Sequence, residues 1–398
     1  MPDSLPPVRL ITEIGHIEWL SERLHGEPRI AVDLESDGFY VYREKVCLLQ
    51  LSSEKEDFIV DPLLAKDLSP LASIFRDPGV EKVFHAGEYD ISSLKRDYGF
   101  GVHHLFDTMA AARILGKPKL GLAGLIEEYF DVVLSKKLQR ANWGKRPLSE
   151  DQLQYARLDT HYLLRLRDKL ERELAEHGRL QDAQDAFKRL ERTQACDKAF
   201  DPDAFWRLPG ARELSAQGLA VLKELYLFRE KTASELDRAP FRVLPEPLLV
   251  HLAARRPDTP DALEGAAGMT PYLFHNYGQG LAEAIRRGLE APPVGAPPEA
   301  PRSDWNGPTA RRYEALRAWR KALALERGVE PVVILETDEA KAIADAPSKS
   351  EDPQTWLAAL SDFKREAYGE DILRVLQSLP PSAPRPKRRR RRRSSAQG

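Results

Sequence analysis

The chain reads as a mixed α/β domain followed by two small all-α domains, and three observations predict this. Residues 28–62 hold three β-rich segments set apart by turn signals, after which strand and helix patterns alternate. From Asp107 onward the apolar periodicity is helical. In the C-terminal half, one helical stretch recurs at a fixed offset.

PRIAVDLES carries the apolar run Ile30-Ala31-Val32 into Asp33 and predicts a strand; VCLLQLSS predicts a second, and EDFIVDP a third that ends at the turn signal Asp61-Pro62. LSPLASIFRDPG predicts a helix, with Ser69 as N-cap, Pro70 at the first helical position and a stop at Pro78-Gly79. VEKVFHAG is expected to be a fourth strand. EYDISSLKRDYG is expected to be a helix, with Ile91 and Leu94 three apart. LSEDQLQYARLDTHYLLRLRDKLERELAEHG predicts one long amphipathic helix, opened by the capping box Ser149/Gln152 and closed at His177-Gly178.

Shifting residues 222–244 by 91 positions lays Leu225 on Leu316, Phe228 on Trp319, Arg229 on Arg320 and Ala233 on Ala324. The same shift pairs Glu235 with Glu326, Pro240 with Pro331, Val243 with Ile334 and Leu244 with Leu335, so two copies of one helical domain are expected. The organisation that follows is an α/β domain over 1–178, a helical connector over 179–210, helical domains over 211–290 and 305–379, a Pro-rich linker over 291–304, and a tail over 380–398. The Pro/Ser/Arg composition of the tail cannot build a core, so disorder is expected there.

With 31 % charged and 42 % apolar residues, the 398-residue chain suits soluble globular domains. It carries no apolar run of the ~18 residues a membrane span needs, and no secretory leader pattern at its start. Cys47 and Cys196 form no metal or disulfide pattern, which fits a reducing cytoplasm, and both are expected to be small buried apolar residues. Net charge is −2, yet the tail alone holds Arg385, Lys387 and Arg388 through Arg393, so the rest of the chain carries −10. Such an acidic body does not bind nucleic acid by bulk charge; local basic stripes, metals or the tail must do it.

Four carboxylates and a phenol stand out. Asp33 and Glu35 are two apart on a strand, so they share a face while Leu34 points away. Tyr155 and Asp159 are four apart on a helix and share a face as well. Asp90 opens the helix after a strand, where α/β domains collect their sites. Paired carboxylates repel one another unless a cation joins them. Hard divalent cations take oxygen ligands and leave room for phosphate and water. Two such ions about 3.5–4 Å apart can clamp a scissile phosphodiester. On that reading Asp33 bridges both ions, Glu35 and Asp159 complete the nucleophile-side one, and Asp90 holds the other. Tyr155 orients the attacking water, because a phenol of pKa ~10 is a poor base. Each pattern alone has a plainer explanation: surface acid for Asp33/Glu35, core packing for Tyr155, a helix-dipole charge for Asp90.

In order and setting these motifs resemble ribonuclease D, of the DEDD class of 3′→5′ exonucleases. AVDLES is similar to the first exonuclease motif, HAGEYDISSL to the second, and YARLDTHYLL to the third in its tyrosine form. VCLLQLS, FDTMAAARILG, GLAGLIEEYF and KKLQRANWGKRPLSEDQLQYA follow the same course. The resemblance implies a ribonuclease H-like exonuclease fold with Asp33, Glu35, Asp90, Tyr155 and Asp159 as catalytic residues. The four carboxylates would be the ligands of two Mg²⁺ or Mn²⁺ ions. The histidine subtype has its histidine where Gln154 stands, so the tyrosine subtype is the one matched. Leu34 and Asn142 stand where relatives often have Thr and Asp, and Asn142 puts a substrate-side contact in question. LYLFREKTASELDRAPFRVLPEPLLVHLA and LRAWRKALALERGVEPVVILETDEAKAIA resemble two helicase-and-RNase-D C-terminal (HRDC) modules, which implies auxiliary nucleic-acid binding.

KKLQRANWGKR sets Lys136, Lys137, Arg140, Lys145 and Arg146 around Trp143, a pattern able to follow a phosphate backbone while stacking a base. Lys136, Arg140, Trp143 and Arg146 are therefore candidate substrate contacts, and His85 is another; a solvated loop anchored by Trp143 and a hydrogen-bonded core histidine are the structural alternatives. The resemblance implies single-stranded RNA 3′ ends as substrate, transfer-RNA precursors especially, and release of 5′-phosphomonoesters; a cytoplasmic monomer is expected. The residues do not separate RNA from DNA, because no motif announces a 2′-OH contact. A DNA exonuclease and a non-catalytic RNA scaffold stay open. The arginine tail suits a phosphate-binding arm or an import signal.

Overall fold

The computed structural model describes residues 8–196, 199–295, 307–348, 350 and 352–379. The arginine-rich tail and most of the Pro-rich linker lie outside them. The chain divides into a unit over Met1–Ala300 and a second over Pro301–Gly398.

The first unit opens with β1 (Arg9–Ile11), α1 (Ile14–His25), β2 (Arg29–Ser36), β3 (Val46–Ser52) and β4 (Asp57–Val60). After β4 come α2 (Pro62–Ala65), a 3₁₀ turn at Ser69–Leu71 that passes into α3 (Ala72–Arg76), then β5 (Glu81–Phe84), α4 (Glu88–Tyr98) and β6 (Leu105–Asp107). The six strands order β1-β4-β3-β2-β5-β6. β2 and β3 are antiparallel, as are β3 and β4, while β1, β5 and β6 pair in parallel with their neighbours. This is the mixed sheet expected. The short edge strands β1 and β6 and helix α1 were not among the expectations, because three-residue strands carry too little alternation to register. Ser69 does not cap its helix with its side chain: the segment enters as 3₁₀, and the helix ends at Arg76 before Pro78.

Helices α5 (Thr108–Leu115), α6 (Leu122–Phe130), α7 (Glu150–His161), α8 (Leu163–Glu176) and α9 (Leu180–Glu191) follow. The single long helix expected over this last stretch is two. The capping box of Ser149 and Gln152 opens α7 as expected, but α7 stops at Tyr162. Asp57, on β4, accepts from Arg157 Nε and pairs with His161 Nδ1, each at 2.8 Å, while Ser52 Oγ meets Thr160 Oγ1 at 2.7 Å. These buried polar ties pin the end of α7 across β2, β3 and β4, and α8 packs on β2 and β5. The expected connector begins as α9, which packs on β6 with Phe187 and Phe106 rings 4.6 Å apart.

The unit closes with α10 (Ala216–Glu235), α11 (Pro240–Val243), α12 (Glu246–Arg255), α13 (Pro260–Glu264) and α14 (Pro271–Glu290), packed on a core that includes Leu225, Ala233, Val243 and Leu244. In the second unit, α15 (Pro308–Arg327), α16 (Pro331–Ile334), α17 (Thr337–Asp345), α18 (Pro353–Trp356) and α19 (Asp362–Gln377) enclose Leu316, Ala324, Ile334 and Leu335. These are the residues the 91-residue shift equates, and α16 repeats α11 position for position. Among the described residues, no helix is long and apolar enough to cross a membrane. Cys47 is buried as expected, but Cys196 is exposed, since it lies beyond α9 and outside any core.

Candidate active site

Strand β2 runs from the apolar Ile30-Ala31-Val32 into Asp33 and Glu35, and a bulge follows between Glu35 and Ser36. Alternation puts both carboxylates on one face of the sheet, and α7 packs against β2. From α7, Asp159 completes the group: one carboxylate oxygen from each of Asp33, Glu35 and Asp159 lies within 4.8 Å of the others. Tyr155 sits one turn before Asp159, and Asp90 stands in the first turn of α4, buried.

The Asp90 turn is built with care. Ala86 adopts a left-handed φ of 59°, and Gly87 admits no side chain, since a Cβ there would come 2.6 Å from Phe84 Cβ. Asp107, buried at the start of α5, accepts from Gly87 N at 2.8 Å and from Ala110 N at 2.7 Å. It thereby caps its own helix and holds the turn that presents Asp90. Asp107 escaped the sequence reading as a site residue; its signal was the N-cap position in FDTMAAARILG.

Electrostatics mark this cluster. Burial, followed by the field of its neighbours, lifts Glu35 to about 10, and burial with the Asp33 charge lifts Asp159 to about 8. Asp33 is raised to about 7 by burial, opposed by the Leu34 backbone N–H. Asp90 is pushed well above the carboxylate range by burial, then Asp33 and Asp107. Burial and then Asp159, Glu35 and Asp33 raise Tyr155, so its phenol keeps its proton.

Three carboxylates this close fit a divalent cation by donor chemistry: all-oxygen, partly open, and mutually repelling without a positive partner. A second observation points the same way. Gln50, directly across the ladder from Asp33, is fully buried, and neither its amide nitrogen nor its oxygen has a hydrogen-bond partner. Buried amides are rarely left so, and a bound ion with its water is a standard remedy. Gln50 too was missed from sequence, since a glutamine in a β-rich run carries no signal of its own.

The candidate substrate contacts divide. Lys136 and Arg140 are exposed on the loop before α7. A cavity of about 300 Å³, lined by Lys137, Leu134, Leu138, Leu158, Tyr155 and Asp159, opens beside that loop. Trp143 is not available to stack a base: at 1 % exposure it packs with Cys47, Leu48, Ile59 and Ala156, 5.8 Å from the Tyr155 ring. Nor is Arg146 free for phosphate. Its guanidinium grips both Asp61 oxygens at 2.6 and 2.9 Å and the carbonyls of Trp143 and Cys47 at 2.6 and 2.9 Å. Both residues hold the loop on the domain because the loop's apolar and cationic anchors face inward. His85 Nδ1 meets Thr108 Oγ1 at 2.9 Å, and burial lowers its pKa to about 4, so it stands neutral.

Residues 8–175 match the 3′–5′ exonuclease family, and 218–285 and 309–376 each match the HRDC domain. The two HRDC matches begin 91 residues apart, the offset of the internal repeat. Exosome complex component 10 of Mus musculus is 33 % identical across 72 % of this chain and 33 % of its own length, so the chain spans about a third of that relative. Ribonuclease D of Nitrobacter hamburgensis is 29 % identical across 92 % of this chain and 94 % of its own. Among solved structures, Escherichia coli RNase D, described as an exoribonuclease involved in structured RNA processing, is similar with a TM-score of 0.65. It is 26 % identical, over 94 % of this chain and 100 % of that one.

Proposed function

The chain belongs to the ribonuclease D-type proteins, a 3′–5′ exonuclease domain followed by two HRDC domains, and from that premise we propose that it is a metal-dependent 3′→5′ exoribonuclease. The single observation that carries the reading is the convergence of Asp33, Glu35 and Asp159 oxygens within 4.8 Å, with Asp90 and Tyr155 beside them. Asp33, Glu35 and Asp159 would hold one divalent cation, and Asp33 with Asp90 a second, Mg²⁺ or Mn²⁺. Bound there, the ions supply Lewis acidity and a water acidic enough to attack the terminal phosphodiester.

The chain's own residues supply the rest. Raised carboxylate pKa values mean that protons sit in the site when cations do not, so the same oxygens exchange one positive partner for the other. Tyr155, protonated, positions water and cannot act as a base. The product is a nucleoside 5′-monophosphate and an RNA shorter by one residue. The E. coli relative acts in structured RNA processing, and we carry that substrate class over, with transfer-RNA precursor 3′ ends as the first candidate and a monomer as the working form.

End-labelled RNA and DNA of one sequence, incubated with Mg²⁺, Mn²⁺ or EDTA, test the reading. Stepwise, metal-dependent loss from the RNA 3′ end is expected, absent in Asp33→Ala and Asp159→Ala. Turnover that persists in EDTA would sink it, as would RNA binding without turnover under either metal. Faster loss from DNA would reassign the polymer.

A further inference from the structure

The first helical module docks on the loop between β2 and β3, and the seam is built from alternating arginines and aromatic rings. Arg140 lies over the Phe39 ring, 5.6 Å from its centroid, and Tyr40 Oη donates to the Arg140 carbonyl at 2.9 Å. Across the seam, Arg242 of α11 stacks 4.0 Å above the Tyr40 ring, lies 5.9 Å from Phe241, and donates through Nε to the Phe39 carbonyl. Ala239 N donates to Tyr40 O at 3.2 Å, and Asp237 accepts from Tyr42 N at 3.1 Å, fixing the register.

Docking alone does not explain the outer face of this ladder. Phe39 and Phe241 remain 47 % and 49 % exposed, although each lies beside an arginine of the seam. Among the described residues neither Arg140 nor Arg242 pairs with a carboxylate, in a chain whose body is strongly acidic. Guanidiniums stacked on rings keep their edge N–H groups directed outward, where a phosphate can take them. Rings and cations in alternation suit one polymer above others: single-stranded nucleic acid, whose bases stack and whose phosphates recur between them.

Position relates the ladder to the carboxylates. Phe39 is four residues beyond Glu35, so its Cα lies within about 14 Å of that of Glu35. Arg140 shares its loop with Leu138, which lines the cavity beside Tyr155 and Asp159. We propose that Phe39, Arg140, Phe241 and Arg242 form one binding site, shared by the exonuclease domain and the first HRDC domain, for the single-stranded RNA segment on the 5′ side of the scissile nucleotide. The site deepens the exonuclease reading and rests on it, because RNA must enter the carboxylate cluster for the ladder to lie on its path.

Fluorescence anisotropy with a long labelled single-stranded RNA in EDTA tests this apart from cleavage, using the full chain and the variants Phe39→Ala, Phe241→Ala and Arg140→Ala. Each lost stack should weaken binding about five- to hundredfold, and Arg140→Ala should lower the slope of log affinity against log salt by about one. With metal present, preference for the long RNA over a dinucleotide should fall in the same variants. Affinities equal to wild type in all three would overturn the site, as would equal weakening toward long RNA and dinucleotide. Ala at these positions leaves the backbone hydrogen bonds of the seam in place; should Phe241→Ala lower the melting temperature, Phe39→Ala and Arg140→Ala decide. Absent cleavage with intact affinity losses would retire the nuclease reading and keep the site.

Discussion

Gln50 stands directly across the β2–β3 ladder from Asp33, fully buried and with both ends of its amide unpartnered. An orphaned amide costs on the order of 1–3 kcal/mol, whereas an apolar group of like shape costs almost nothing. Gln50→Leu should therefore stabilise the metal-free protein by about 1–2 kcal/mol and weaken Mn²⁺ binding. Urea unfolding with EDTA and with Mn²⁺ checks both. A stability gain of the same size under both conditions would separate Gln50 from the cation site.

Asp33, Asp159 and Glu35 carry folded-state pKa values of about 7, 8 and 10, all above their ordinary values. Between the ordinary value and the raised one, the folded state holds more protons than the unfolded chain, so stability falls as pH rises. In EDTA the protein should lose stability steadily from about pH 4 to about pH 8 and beyond, with no such penalty below pH 4. Saturating divalent cation should flatten that slope and release protons on binding. Melting temperatures across pH, with and without metal, measure it; a metal-free protein that gains stability over that window contradicts the site.

Tyr155 keeps its proton, because burial and three neighbouring carboxylates oppose the phenolate. Tyr155→Phe should cut kcat by about a hundredfold through lost orientation of water, with KM little changed. The pH–rate profile should keep its shape. If the variant loses a limb of that profile, the phenol is acting as a base after all.

Arg146 and Arg140 share one loop and should fail differently. Removing the Arg146 guanidinium leaves the buried Asp61 carboxylate with only the Leu63 and Leu64 backbone N–H groups and no cation, and takes a donor from two carbonyls. Arg146→Ala should cost about 3–5 kcal/mol of stability, while Arg140→Ala, whose side chain lies exposed over Phe39, should leave the melting temperature unmoved. Thermal unfolding of the pair separates them; equal melting temperatures would show that Arg146 is a surface cation.

Much of the fold was legible because its signals are local. The runs into Asp33 and through VCLLQLS, the capping box at Ser149 and the 91-residue repeat each depend on neighbours in sequence. The break at Tyr162 was not, because Asp57 and Ser52 act on it from two other strands. Trp143 and Arg146 looked like substrate contacts for the same reason: composition shows which side chains a loop owns, and only packing shows which way they face.

By itself the amino-acid order determined the five-residue acidic and phenolic set, its division among a strand and two helices, and the duplicated helical module, since periodicities of 2 and 3.6 assign faces without knowledge of partners. Tertiary structure alone decided that Asp33, Glu35 and Asp159 meet, that Asp107 and Gln50 stand behind them, and that Arg242 lies on Tyr40. Those contacts join residues tens to hundreds of positions apart, and their distances are set by the sheet order and by the docking of α7 and α11, which no local pattern encodes.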